Sequence, residues 1–158
     1  MLYAALKTLH VLAIVAWVGG MFFVMLALRP AAQSLEPPLR LTLMRDALGR
    51  FFSVVTASAV ISFVTGIWMI GRVARASVQS GAGFSMPLEW HLMTALGILM
   101  IVVYAVIRLR HFRALDRSVQ GRDWTAAGTA LAGIRMGVHV NAALALVILV
   151  VVVWGGAT

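Results

Sequence analysis

The sequence predicts an all-α protein, an integral membrane four-helix antiparallel bundle with short interfacial helices in its cytoplasmic loops. Three observations carry this reading. Apolar residues make up 62% of the 158-residue chain and charged residues 11%, with a mean hydropathy of +0.98. So few charges cannot supply the polar coat of a small water-soluble fold, and lipid must solvate most of the surface. Second, four apolar runs are each long enough to cross about 30 Å of hydrocarbon. Third, the arginines gather in two of the three connections between those runs. The runs are continuous rather than alternating, which excludes a transmembrane barrel.

The expected organisation is a single four-helix transmembrane domain over residues 1–158, with helices at about 5–28, 51–71, 87–108 and 129–154. The first apolar run is about twice the length of a signal-peptide core, so it reads as a retained helix. It should stop at Arg29-Pro30, because proline cannot continue a helix and restricts the residue before it. Pro37-Pro38 open a segment, Leu39 to Arg50, with Leu, Met and Arg at helical spacing. Proline suits a helix start, and this segment should lie in the interface and run into the second helix. Ser77 to Ser85 is small and polar, as expected of a loop, and Ser85 and Pro87 mark the start of the third helix. Arg108 to Trp124 is basic with interleaved Phe112, Leu115 and Val119, the pattern of a second interfacial helix. Trp90, Trp124 and Trp154 suit the aromatic belts at the membrane boundaries.

The charge distribution orients the bundle. Arg29, Arg40, Arg45 and Arg50 follow the first helix; Arg108, Arg110, Arg113, Arg117, Arg122 and Arg135 lie between or beside the last two. Only Lys7, Arg72 and Arg75 fall on the other side. Basic loops stay in the cytoplasm, so both termini should lie outside, in the periplasm of a bacterial-type inner (plasma) membrane. The net charge of +8 then serves orientation and contact with anionic lipid rather than nucleic acid. Partners beyond the bilayer are expected to be a redox protein or further copies of the chain. The absence of cysteine excludes disulfides, thiolate metal sites and cysteine nucleophiles.

Ionisable residues inside membrane helices are costly, which makes His10, His91 and His139 the functional candidates. His111 sits among arginines at the interface and needs no special role. His10 and His91 lie near the outer ends of helices that run in the same direction. As diagonal neighbours at matching depth they would hold a b-type haem between them. Trp17 falls on the His10 face and would line such a cofactor, while Lys7 or Arg72 would meet its propionates. His139 starts from the opposite end of the bundle and is the less favoured ligand. Copper is the alternative, because imidazole and thioether suit Cu(I), with Met86 and Met93 beside His10 and His91. Thr56, Ser58, Ser62, Thr65, Gly66 and the pair Gly19-Gly20 are expected to serve close helix packing. A third reading is a cofactor-free structural or assembly subunit. No catalytic residue emerges from any of these patterns.

The opening Lys7-Thr8-Leu9-His10, followed by Trp17-Val18-Gly19-Gly20-Met21-Phe22-Phe23 and closed by Arg29-Pro30, resembles two related membrane families. One is the copper resistance D (CopD) domain family; the other is the HemJ-type protoporphyrinogen oxidase family of haem-binding four-helix proteins. The likeness continues in Met44-Arg45 to Phe52, at Trp90, and from Arg135 to Leu144 and on to Trp154-Gly155-Gly156. It implies that His10 matches the functional histidine of the HemJ-type motif. Thr94 stands where both families carry a lysine, so the resemblance does not extend to protoporphyrinogen oxidation and lies closer to a stand-alone CopD-like protein. The expectation is a haem b-binding membrane protein in electron transfer or a membrane-linked oxidation. Copper binding or uptake of the CopD type is the alternative.

Overall fold

The structure, a computed structural model, describes residues 1–81 and 83–155; Ala82 of the expected loop and Gly156 of the closing motif lie outside the described residues. Four helices build it: α1 (Leu2–Ala32), α2 (Pro37–Gln79), α3 (Leu88–Gln120) and α4 (Trp124–Gly155). All four are long and apolar enough to cross a membrane, and the chain is a multi-pass helical membrane protein. Short connections make the order antiparallel. α1 packs chiefly along α2 and α3 along α4, and the two pairs join through α2 against α3 and through α4 against α1 and α2. One end of the bundle carries most of the arginines and is called the basic end; Leu2 and Gly155 lie at the other, the terminal end.

Every helix outruns its apolar core. The Leu39–Arg50 segment runs directly into the second span, and the basic segment after Arg108, expected as an interfacial helix, is a continuous extension of α3, because no proline interrupts residues 39–79 or 88–120. Within the α3 extension, Phe112, Leu115 and Val119 are buried while Arg113 and Arg117 stay exposed, so a single apolar stripe binds it to the bundle.

The helix stop expected at Arg29-Pro30 does not occur, and α1 continues to Ala32. Val24–Leu28 forms a wide π turn in which the Arg29 N–H reaches back to the Val24 carbonyl. Widening the turn moves aside the carbonyls that the Pro30 ring would otherwise strike.

The core fills the basic half and the middle of the bundle. Four rings interlock edge to face there: Trp17 on Tyr104 at 5.9 Å, Tyr104 on Phe52 at 5.8 Å, and Phe52 on Phe112 at 5.2 Å between centroids. The Tyr104 hydroxyl donates to the Phe52 carbonyl at 2.8 Å and lies 2.6 Å from Thr56 Oγ1, tying α3 to α2. Gly133 and Gly137 form a GxxxG pair on α4, and a Cβ at either would overlap His111 or Ile107 of α3. Small residues at that spacing let two helix backbones approach closely. The terminal half is looser, and none of the α3 residues from Leu88 to Leu99 is buried.

Candidate functional site

His10 lies in this looser half, half-buried on the face of α1 that meets α2. Its Nδ1 stands 3.0 Å from the hydroxyl of Thr65, a residue only 4% exposed. The next residue, Gly66, lets the ring lie flat against α2; a Cβ there would come within 3.3 Å of His10 Cε1. The Thr65 hydroxyl has one proton, and its shortest acceptor is the Ile61 carbonyl at 2.6 Å. With that proton committed, Oγ1 accepts from His10 Nδ1–H. In that tautomer the Nε2 lone pair is the one free to meet a ligand. A second group that orients an imidazole through its far nitrogen is what metal-binding histidines generally have.

The other two candidate histidines, His91 and His139, use the same nitrogen locally. His91 Nδ1 donates to the Pro87 carbonyl at 3.1 Å in the first turn of α3, and His139 Nδ1 donates to the Arg135 carbonyl at 2.6 Å. Both side chains are exposed. Trp17 packing on Tyr104 sets the register between the parallel helices α1 and α3. Carried to His10, that register places Gly97 opposite it. His91 lies six residues nearer the terminal end, about 9 Å at the helical rise.

The remaining expected site residues divide by depth. Trp17 is 5% exposed and belongs to the core ring cluster. Lys7 and Arg72 are exposed toward the terminal end, and Met86 and Met93 are half-buried. Met69 was not singled out by the sequence reading. It is half-buried on α2 four residues after Thr65, hence on the same face and one turn closer to the terminal end. Its signal in the sequence was that spacing, which gains meaning only once Thr65 is seen against His10. Among the described residues, no three His, Asp or Glu side chains come together as a metal site.

These features define a four-span helical membrane bundle whose loosely packed half carries His10, held against α2 by Thr65. The family model described as copper resistance protein D matches residues 45–155, and the chain belongs to that family. The matched region includes most of α2 and all of α3 and α4, with His91 and His139; α1 and His10 precede it. Comparisons with curated proteins and with solved structures found no match.

Proposed function

We propose that this protein handles copper, taking up Cu(I) at His10 from the terminal side of the membrane. The observation that carries the proposal is the hydrogen-bond chain from Ile61 through Thr65 to His10, which supports a tautomer with Nε2 free to ligate. Cu(I) is a soft ion suited to imidazole and thioether donors, and the Met69 thioether shares the face of Thr65. A closed site of several histidines and carboxylates would suit harder ions, and the residues around His10 are not of that kind. Copper here is cargo: His10 and Met69 hold it, Thr65 keeps the ring in place, and the small number of donors allows release. The family description names copper resistance, which agrees with this reading. The arginine asymmetry supports a bacterial-type inner membrane with the terminal end outside.

The test is a Cu(I) titration of the detergent-purified protein against a coloured chelator. One ion should bind per chain, and His10→Ala should abolish that binding while preserving helicity. Equal binding by His10→Ala would overturn the assignment.

Haem b on His10 is the second reading, with a role in electron transfer or a membrane-linked oxidation. The loose packing of α3 from Leu88 to Leu99, level with and beyond His10, favours it as a place for a flat group. The offset of His91 disfavours the paired form, because two imidazoles on one iron must stand at the same level. An absorption spectrum separates the readings: a Soret band in protein from haem-supplied cells supports haem, and a featureless spectrum removes it.

A further inference from the structure

The basic end holds a cleft that the copper reading does not use. It occupies about 530 Å³ between α1, α2 and α4, a volume typical of ligand sites. Arg29, Arg40 and Arg135 line it, one from each helix, and no Asp or Glu does. None of the three guanidiniums forms an ion pair with a described residue. Arg135 lies eleven residues inside α4, at the start of the apolar run to Trp154, which puts its guanidinium at the level of lipid headgroups.

The π turn of α1 helps to form this cleft. In a regular helix Arg29 would stand well away from the face of Val24. The wide turn, closed by the Arg29 N–H on the Val24 carbonyl, rotates Arg29 back toward that face, and both residues line the cleft. Beyond the arginines the lining is apolar toward the bilayer centre, with Val24, Met44, Leu48 and Val138, apart from His139 one turn deeper than Arg135.

From this arrangement we infer that the cleft binds one anionic phospholipid, its phosphate among Arg29, Arg40 and Arg135 and an acyl chain along the apolar floor. Basic pockets between membrane helices at the cytoplasmic level suit such headgroups. A free phosphate would satisfy the arginines and leave the apolar floor unused, which is why the lipid is the occupant chosen.

Native mass spectrometry of the full chain, released from detergent with mixed phosphatidylglycerol and phosphatidylcholine, tests this. Wild type should retain one phosphatidylglycerol in preference to phosphatidylcholine. Combining Arg29→Gln, Arg40→Gln and Arg135→Gln should weaken retention about 100-fold, at about fivefold per arginine. A control combining Arg110→Gln, Arg113→Gln and Arg122→Gln carries the same net charge and should retain the lipid. If the first triple variant does not assemble, Arg40→Gln alone should show the fivefold loss. Equal losses in both triple variants would reduce the effect to general attraction and overturn the site. Displacement of the lipid by millimolar inorganic phosphate would overturn the lipid as occupant.

Discussion

Thr65 Oγ1 stands between the Ile61 carbonyl, 2.6 Å away, and His10 Nδ1, 3.0 Å away, joining the second helix to the first through one hydroxyl. The hydroxyl donates along its own helix and accepts across the interface. With that direction of donation, the His10 lone pair lies on Nε2.

Thr65→Val keeps the shape of the side chain and removes the acceptor. Cu(I) affinity should fall about 10- to 100-fold, the usual cost of losing a group that orients a ligand. Thr65→Ser should bind within a few-fold of wild type. Chelator competition on the three proteins measures this, and a Thr65→Val protein with unchanged affinity would remove the positioning role.

The close approach of α3 and α4 predicts different fates for two glycines on one helix. A Cβ at Gly137 would overlap the side chain of Ile107, which is 2% exposed and has nowhere to move, while Gly128 has open space around it. Gly137→Ala should therefore destabilise the bundle by about 1–3 kcal/mol, the usual cost of overpacking. Gly128→Ala should be neutral or stabilise by up to about 1 kcal/mol through helix propensity. Thermal unfolding in one detergent compares the two.

The sequence was most readable where lipid dictates the pattern. Long apolar runs identified all four spans, and the clustered arginines separated the basic end from the terminal end. Helix ends were less readable, because a proline rule applied to Pro30 assumes a regular ladder and the π turn before it changes that ladder. The α2 extension and its run into the second span were visible from Pro37-Pro38, but the continuity of the α3 extension with its span depends on packing at Phe112 and Leu115. His10 stood out as an ionisable group in an apolar helix. Its partner Thr65 is 55 residues away, and no local spacing connects them before the register of α1 on α2 is known. The basic cleft shows the same limit, since its arginines come from three helices.

A buried amide offers a sharper test of the core. Asn141 is 1% exposed, and its Nδ2 donates to the Met100 carbonyl at 3.1 Å while its Oδ1 has no hydrogen-bond partner. The favourable bond and the unsatisfied acceptor oppose one another. Asn141→Leu should thus change stability by no more than about 1 kcal/mol, because it removes both. Asn141→Asp should cost about 3 kcal/mol, since it sets a carboxylate against a carbonyl inside the membrane. Denaturation of both variants in mixed micelles reads the difference.

The orientation of the bundle can be measured directly because the chain has no cysteine of its own. Ser80 lies just beyond α2 at the terminal end, and Ser34 lies in the connection between α1 and α2 at the basic end; both are exposed. Basic loops resist translocation, so the arginine-rich end should face the cytoplasm. A membrane-impermeant maleimide should then label Ser80→Cys in cells whose inner membrane is intact, and Ser34→Cys only after that membrane is opened. The reverse pattern would place His10 on the cytoplasmic side and turn the proposed direction of copper entry around. It would also move the arginine cleft to the outer leaflet, where its lipid partner would have to be sought.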